Sequence, residues 1–296
     1  MLDYRIQTFL TLCKERNYSR TAQILNITQP AVTQHIQYLE RQYNTKLFEY
    51  ENKQLHLTKE GKILEKMALG LSASNNRIKE ILHRCQDTKT HLKIGCTLII
   101  SECVLPQIIK ELLITCPDVR LTMTVDTKER LFEGLSSGLY DCLYVEGCYN
   151  KEIYEHHLFS KEDYIAISGK KFPPTTKIQD LLTENVICRE EGSSPRNILN
   201  EVLLNYRLSI SDFSNYVECN NLTVTKELVK QQVGIAFVYK AAVLNELHNQ
   251  SLYEIPLDLH LQKEFNFVIL KNNMFAQKYI DLYHFSKEIY EMSKQC

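Results

Sequence analysis

From residue 91 onward, the sequence alternates between short apolar runs and longer stretches with helical spacing. The first apolar runs, HLKIGC, VRLTMTV and CLYV, have the length and composition of strands. Consecutive strands that are separated by helices lie parallel, because a crossover helix returns the chain to the same end of the sheet. This part of the chain is therefore predicted to form an α/β sheet.

The alternation continues along the rest of the chain. Further strands are predicted at YIAIS, VICRE, NYVEC, GIAFV and FNFVILK. Helices are predicted over residues 99–116, 128–137, 195–205, 223–232, 241–247 and 275–293. A chain of 296 residues is too long for one ordinary domain, and the N-terminal part has a pattern of its own.

The first 58 residues are predicted to begin with three short helices. Asn26 and Ile27 form a tight turn after the second helix, and Thr28 is suited to cap the third, whose first turn tolerates Pro30. The inner stripe of the third helix consists of Val32, Ile36 and Leu39. Two short helices joined by such a turn are typical of a helix-turn-helix.

The outer face of the third helix is polar, with Gln29, Thr33, Gln34 and Gln37. Amide side chains make paired hydrogen bonds to adenine, and short hydroxyl groups bond bases or phosphates. A merely solvated helix surface has a similar composition, but the helix-turn-helix spacing favours recognition of DNA.

The charge distribution supports that interpretation. The whole chain has a net charge of −1, which by itself argues against a nucleic-acid-binding protein. Residues 1–91, however, hold 14 Lys and Arg against 9 Asp and Glu, a net charge of +5. The remaining residues hold 21 against 27, a net charge of −6. A basic N-terminal part and an acidic C-terminal part indicate that only the N-terminal part contacts nucleic acid.

A helix of about 25 residues is predicted over residues 59–84, with residues 86–90 as a polar hinge. Its apolar seam consists of Leu64, Met67, Ala68, Leu71, Ile78, Ile81, Leu82 and Cys85. The seam is explained either by packing against the C-terminal part of the same chain or by dimerisation. Dimerisation is favoured, because a symmetric DNA reader needs two recognition helices about one helical turn apart, or a multiple of it.

The stretch YSRTAQILNITQPAVTQHIQYLERQYNTKLF resembles the N-terminal winged helix-turn-helix of the LysR-type transcriptional regulators. Its Ala, Leu, Thr-Gln-Pro-Ala, Thr, Ile, Leu-Glu and Leu-Phe residues match the spacing of the family. The segment EYENKQLHLTKEG resembles the family's wing and the start of its linker helix. Two positions depart from the family pattern: Tyr50 stands where an Arg is usual, and Gln34 where a basic residue is common.

The resemblance implies an all-α winged helix-turn-helix over residues 1–58 and a linker or dimerisation helix over 59–90. It also implies a periplasmic-binding-protein-like α/β effector domain over 91–296. That domain has two subdomains, 91–162 with 267–296 and 163–266. For DNA contacts we expect the third helix and the wing to supply Gln29, Pro30, Thr33, Gln34, Gln37 and Lys53.

The effector site is expected where strands of the C-terminal sheet end and helices begin. The segment ICREEGSSPRNIL matches the family's Arg-Glu-x-Gly-Ser-x-x-Arg loop, on which Arg196 is also a matched position. Hydroxyl and amide groups at these corners suit a small anionic metabolite such as a carboxylate. Glu102 and Glu146 favour instead a cationic or zwitterionic ligand. The expected effector-binding residues are Thr97, Ser101, Thr127, Ser193, Ser194 and Asn221.

No catalytic motif is present in the sequence, which has no P-loop, G-x-S-x-G or H-E-x-x-H, so an enzyme is not expected. No resident cofactor and no metal are expected either, since the ten cysteines include no C-x-x-C pair. The expected partners are double-stranded DNA, a small effector, RNA polymerase and further copies of the chain, as a dimer or homotetramer. Without a signal peptide or a membrane span, the protein is expected in the cytoplasm.

Two alternatives remain open from the sequence. In one, a regulator of the same fold senses oxidation through Cys96 with Cys103, or Cys142 with Cys148. In the other, a solute-binding protein or an α/β enzyme carries an incidental helical module at its N-terminus.

Overall fold

The computed structural model describes residues 3–83, 90–147, 149–258 and 261–294. The chain divides into two compact units. The first unit comprises residues 1–98, 107–157 and 266–296, and the second comprises 99–106 and 158–265. Among the helices of the described ranges, none is both long and apolar enough to cross a membrane.

The first unit begins with three helices, α1 (Tyr4–Glu15), α2 (Tyr18–Leu25) and α3 (Gln29–Tyr43). Each helix is capped at its N-terminus by a polar side chain that accepts a hydrogen bond from a backbone N–H of the first turn. The capping residues are Asp3, Asn17 and Thr28. Each helix ends at a residue with left-handed backbone, namely Arg16, Asn26 and Asn44. The predicted turn and the predicted Thr28 cap are therefore present.

A two-stranded hairpin follows, with β1 (Phe48–Glu51) paired antiparallel to β2 (Gln54–Leu57). Its two-residue turn consists of Asn52 and Lys53, whose φ angles are 49° and 64°. Positive φ at both positions is the geometry of a type I′ turn, which matches the twist of the two strands. The hairpin is the wing of the predicted winged helix-turn-helix, and it carries Lys53 at its tip.

The N-terminal helices and the wing share one apolar core. The inner stripe of α3 is buried as predicted, with Val32, Ile36 and Leu39 at most 2% exposed. Ile36 and Leu39 pack in one cluster with buried residues of α1 and the wing, namely Phe9, Leu12, Cys13, Leu47, Phe48 and Leu55. Burial of this stripe turns the opposite, polar face of α3 toward solvent.

The helix α4 (Lys59–His83) runs from the wing along the rest of the first unit. Small residues allow it to approach other backbone closely: a Cβ on Gly70 would stand 2.7 Å from the carbonyl oxygen of Asn272. A Cβ on Gly138, which has a φ of 77°, would stand 3.0 Å from the Cα of Ala73. The predicted hinge over residues 86–90 lies outside the described residues except at Thr90.

The next elements build the sheet of the first unit, whose strand order is β4-β3-β5-β11. Strand β3 is parallel to both β4 and β5. The elements in chain order are β3 (Thr90–Cys96), α5 (Leu98–Cys103), α6 (Leu105–Thr115), β4 (Val119–Val125), α7 (Lys128–Ser137) and β5 (Cys142–Glu146).

The second unit has a sheet with the order β6-β9-β7-β8, and β10 pairs with β6. The long strands β6 and β11 each begin in one unit and end in the other. The elements in chain order are β6 (Tyr154–Ser168), β7 (Asn185–Cys188), α8 (Ser194–Asn205), β8 (Asn215–Glu218), α9 (Leu222–Lys230), β9 (Ile235–Tyr239), α10 (Leu244–His248), β10 (Tyr253–Glu254), β11 (Gln262–Leu270) and α11 (Ala276–Ser293).

Three sequence predictions were wrong in detail. The helix predicted over 99–116 is two helices, because Pro106 lacks the N–H that a continuous helix needs and fits only the first turn of α6. The helix predicted over 241–247 is reduced to the five residues of α10 after a 3₁₀ turn. The sheet is mixed rather than parallel throughout, since β6 pairs antiparallel with β9 and with β10.

One buried carboxylate, that of Asp141 just before β5, connects three elements of the first unit. Its Oδ2 accepts a hydrogen bond from the backbone N–H of Lys93 at 2.8 Å and lies 3.7 Å from Nη2 of Arg77 on α4. Its Oδ1 accepts a hydrogen bond from the hydroxyl of Tyr279 on α11 at 2.6 Å. Arg77 also donates to the carbonyl oxygen of His91. Asp141 thus ties α4 and α11 to the start of two strands.

We expect Asp141→Asn to lower the free energy of unfolding by about 2–4 kcal/mol, because it removes the charge that Arg77 and Tyr279 face in a buried site. Urea titrations followed by circular dichroism measure this loss. Asp118→Asn, at an exposed position, is the matched control and should change stability by less than about 0.5 kcal/mol. Equal stability of the two variants would contradict the assignment.

Candidate functional site

The exposed face of α3 presents the polar side chains that the sequence predicted. Gln29, Pro30, Gln34 and Gln37 are exposed, and Thr33 is half-buried. The amide Nε2 of Gln29 donates to Oγ1 of Thr33 at 3.1 Å, and Thr33 donates in turn to the carbonyl oxygen of Gln29 at 3.2 Å. These bonds order two neighbouring side chains and leave the amide oxygen of Gln29 available to a further donor.

A groove of about 560 Å³ lies where α3, the start of α2 and the wing meet. Two cationic side chains, Arg16 and Lys53, contribute to its walls. Its lining consists of Arg16, Asn17, Tyr18, Ser19, Gln29, Tyr50, Lys53, Gln54, Leu55 and His56. Of the predicted DNA-contacting residues, the structure brings Gln29 and Lys53 to this groove, together with residues that the sequence did not single out.

Arg16 is the functional candidate that sequence reasoning missed. It is the C-cap of α1, with a φ of 49°, and its exposed side chain lies at the groove. The N-terminus of α2 lies beside it and is capped by Asn17. A guanidinium next to the positive end of a helix is suited to an anion such as a phosphate group. Arg16 therefore provides a cation in the region where Tyr50 replaces the wing Arg of the family.

In the first unit, two expected effector-binding residues follow neighbouring parallel strands at the same edge. Thr97 follows β3 and Thr127 follows β4, in a register that pairs Cys96 with Val125. The hydroxyl of Thr97 is buried without a hydrogen-bond partner. Thr127 is exposed and stands at the N-cap of α7 without making a side-chain capping bond. Helix capping thus does not account for the hydroxyl of Thr127.

In the second unit, the expected residues follow β7 and β8, which are also parallel neighbours. The hydroxyl of Ser193 caps α8 by accepting the N–H of Arg196 at 3.4 Å, and Asn221 caps α9 by accepting the N–H of Val224 at 3.1 Å. Ser194 is half-buried at the start of α8, and Ser101 is buried on α5. Ser193 and Asn221 therefore have structural roles as caps.

Charged groups surround the loop between β7 and α8. The guanidinium of Arg196 is buried and donates to Sγ of Cys188 at 2.7 Å and to the carbonyl oxygen of Arg189 at 3.0 Å. Arg189 holds Glu190 through two hydrogen bonds of 2.8 Å, which lower the pKa of that carboxyl. On α5, burial raises the pKa of the Glu102 carboxyl above its ordinary value. Arg196 thus stabilises the loop from inside.

The cysteines of the first redox pair are held as protonated thiols. Burial raises the pKa of Cys96 and that of Cys103 to about 12, and it also raises the pKa of Cys142 well above its ordinary value. The thiolate is the reactive form, so these environments suppress reaction with an oxidant near neutral pH. Cys148, the predicted partner of Cys142, lies outside the described residues.

Comparison with protein families gives two matches on this chain. The family described as "Bacterial regulatory helix-turn-helix protein, lysR family" matches residues 4–62. The family described as "LysR substrate binding domain" matches residues 86–277. The first match contains α1 to α3 and the wing, and the second covers most of both sheets.

Individual proteins agree with these matches. An uncharacterized HTH-type transcriptional regulator of Methanocaldococcus jannaschii is 30% identical over 237 residues, which are 78% of this chain and 80% of the relative. A probable RuBisCO transcriptional regulator of Nostoc sp. is 27% identical over 296 residues, 96% and 86% of the two chains. The structure of an OxyR mutant from Corynebacterium glutamicum matches with a TM-score of 0.60 and 16% identity, over 99% of this chain and 93% of that one, which indicates a common fold. The chain belongs to the LysR family of DNA-binding transcriptional regulators, with an N-terminal helix-turn-helix domain and a C-terminal substrate-binding domain.

Proposed function

We propose that this regulator binds a pseudo-palindromic promoter site as a dimer or tetramer and that a small effector, bound by residues 91–296, switches it. Residues 1–58 read the DNA, and residues 59–90 join two copies of the chain. The observation that carries the proposal is the polar face of α3 beside a groove with two cations. The protein acts as a regulator and not as an enzyme, works in the cytoplasm where its promoter is, and has RNA polymerase as a further partner.

Sequence recognition is assigned to the exposed side chains of α3. With its inner stripe buried, the helix offers amides and a hydroxyl to base edges in the major groove, where each base pair has a distinct pattern of donors and acceptors. Gln29 and Thr33 are already hydrogen-bonded to each other at 3.1 Å, so little side-chain entropy is lost when they meet a base. The residues proposed to contact DNA are Gln29, Pro30, Thr33, Gln34 and Gln37, with Lys53 in the wing.

Sequence-independent affinity is assigned to the groove between α3 and the wing. Arg16 and Lys53 are the cations in its lining, and they neutralise phosphate groups of the DNA backbone. The two groove cations of one DNA-binding domain make a modest electrostatic contribution to DNA affinity, because each neutralised phosphate contributes only through the release of its counterions. Stable binding then depends on joining two DNA-binding domains, because the second domain then binds the same DNA in an effectively intramolecular step.

Joining two DNA-binding domains is assigned to α4, which has two sets of apolar side chains. One set packs within the chain: Leu64 lies against the N-terminal core, and Leu69 and Ala73 belong to a cluster with residues of α7 and β5. The other set consists of large apolar side chains at intervals of four, four, seven and four residues. These are Ile63, Met67, Leu71, Ile78 and Leu82, which are between 39% and 64% exposed. Such a stripe along one helix suits a second copy of the same helix.

Effector binding is assigned to the strand ends of the C-terminal domain. The hydroxyl groups of Thr97 and Thr127 make no capping bond there, whereas Ser193 and Asn221 hold the helices that follow. The proposed effector-binding set is that expected from the sequence, namely Thr97, Ser101, Thr127, Ser193, Ser194 and Asn221. For switching, the effector must bind one conformation of the assembly more tightly, by about 1–3 kcal/mol in typical cases.

Replacement of two side chains on the exposed face of α3 tests base readout. We expect the double variant Gln29→Ala with Thr33→Ala to lose sequence preference while the fold is kept, because each base contact is worth about 1–3 kcal/mol of discrimination. Gel-shift titrations of the promoter site against a scrambled site measure the preference. Gln42→Ala, at an exposed position near the end of the same helix, is the control and should keep it. Unchanged preference in the double variant would disprove the assignment of α3.

Removal of the Arg16 charge tests the phosphate contact. Arg16→Asn removes the charge but keeps a residue that tolerates the left-handed backbone of the α1 C-cap. We expect weaker binding to all DNA sequences and a decrease of about 1 in the slope of log K against log salt for each half-site. Lys110→Asn on α6 removes a charge elsewhere and should leave the slope unchanged. A slope that is identical in both variants would contradict a phosphate contact at Arg16.

Charges placed in the exposed stripe of α4 test dimerisation. Met67→Glu with Leu71→Glu introduces two charges into the exposed stripe of α4, and burying them at an interface is unfavourable. We expect a shift toward monomer in light scattering coupled to size exclusion, together with much weaker DNA binding. Lys62→Glu, on an exposed position outside the stripe, should leave the oligomer intact. A variant that stays fully assembled would argue against this helix as the interface.

A further inference from the structure

Two polar atoms without partners are buried at the carboxyl edge of the sheet in the first unit. One is Oε2 of Glu146, the last residue of β5, and the other is Oγ1 of Thr97, the residue after β3. The two residues are only 5% and 8% exposed. Native proteins rarely leave buried polar atoms without a hydrogen bond, so such a pair points to a missing partner.

The two residues belong to the same corner of the sheet. Strand β3 pairs with β5 in a register that sets Cys96 opposite Tyr144, and the backbone N–H of Thr97 donates to the carbonyl oxygen of Tyr144 at 3.1 Å. The carboxylate of Glu146 also acts on the Cys96 thiol, whose pKa it helps to raise. Thr97 therefore lies beside Val145, the residue before Glu146, on two hydrogen-bonded strands.

A second buried carboxylate in the same unit gives a direct comparison. Asp141, at the other end of β5, has a cation, a hydroxyl and a backbone N–H as partners. Glu146 forms no ion pair with any Lys or Arg of the described residues, and its Oε2 accepts no hydrogen bond. An uncompensated buried charge is unfavourable for folding. Both carboxylate oxygens of Asp141 have partners, whereas Oε2 of Glu146 has none.

The space in the side-chain direction of Gly147, the residue after Glu146, is open. Gly147 has a φ of 66°, and a Cβ built there would meet only Nζ of Lys128, at 3.8 Å. Lys128 is the first residue of α7, directly after Thr127. The corner thus combines an acceptor-only carboxylate, a hydroxyl that can accept, and a lysine that does not neutralise the carboxylate.

We propose that this corner binds a primary ammonium group of the effector. An ammonium has three N–H donors, so it can donate one hydrogen bond to Oε2 of Glu146 and another to Oγ1 of Thr97, while its charge compensates that of the carboxylate. A second, anionic end of the same molecule would find Lys128 nearby. The effector class is therefore a small amine or amino acid rather than a simple carboxylate. This proposal rests on the proposed function, since it names the class of ligand for the effector domain.

The test uses the full chain and matched pairs of probes that differ only in the ammonium group. The pairs are glycine and acetate, β-alanine and propionate, γ-aminobutyrate and butyrate, and 6-aminohexanoate and hexanoate, with butylamine as a cation alone. We expect at least one ammonium compound at millimolar concentration to raise the melting temperature by 2 °C or more, since a ligand that binds only the folded state stabilises it. Its ammonium-free partner should have no effect.

Glu146→Gln keeps the shape of the side chain and removes its charge, so it should abolish the shift. Glu129→Gln, at an exposed position of α7, is the matched control and should keep it. Without any probe, Glu146→Gln is expected to melt at or above the temperature of the unaltered protein, because an uncompensated buried charge has been removed. That result also demonstrates that the variant is folded.

The proposal is overturned if no ammonium compound shifts the melting temperature, if the shift is equal in Glu146→Gln, or if this variant melts below the unaltered protein. None of these readouts involves DNA. Gel shifts with the promoter site therefore test the proposed function separately: DNA binding without an ammonium response refutes only the ligand class. Absence of DNA binding refutes the regulator even where the ammonium compounds bind.

Discussion

The carboxylate of Asp141 is the interaction on which the arrangement of the first unit depends. It lies before β5 and is bonded to the start of β3, to α11 through Tyr279 and to α4 through Arg77. A charge this deeply buried is tolerated because its partners come from three separate elements. The same contacts join α4, the helix that follows the wing, to the sheet of the first unit.

The composition of α4 follows from what it has to contact. Gly70 faces the backbone of Asn272, and Ala73 faces Gly138, at distances that leave no room for a Cβ on either glycine. Leu64 and Leu69 pack against two separate apolar cores. The large side chains that remain exposed are all on one stripe. One helix thereby packs against its own chain through small residues and leaves large ones exposed, where we propose that a second copy packs. Packing within the chain and dimerisation are therefore not competing explanations of its apolar seam.

The two ends of β5 carry buried carboxylates with different surroundings. Asp141 has partners for both of its oxygens, whereas Glu146, five residues later, has a buried oxygen with none. A similar contrast exists among the hydroxyl and amide groups at the strand ends. Those of Ser193 and Asn221 cap helices, while those of Thr97 and Thr127 do not. The groups with hydrogen-bond partners are accounted for by stability, and those without such partners are the positions that we propose for ligand binding.

The sequence by itself determined the local structure: the cap at Thr28, the buried stripe of α3 and the order of strands and helices. These follow from periodicity and capping, which act over a few residues. Pro106, which divides the helix predicted over residues 99–116, is a local signal of the same kind. Tertiary structure alone decided that Arg16 reaches the groove beside Lys53, and that Thr97 and Glu146 each have a buried side-chain oxygen without a partner at the same edge of the sheet. Those facts depend on contacts between segments tens of residues apart, which no local pattern encodes.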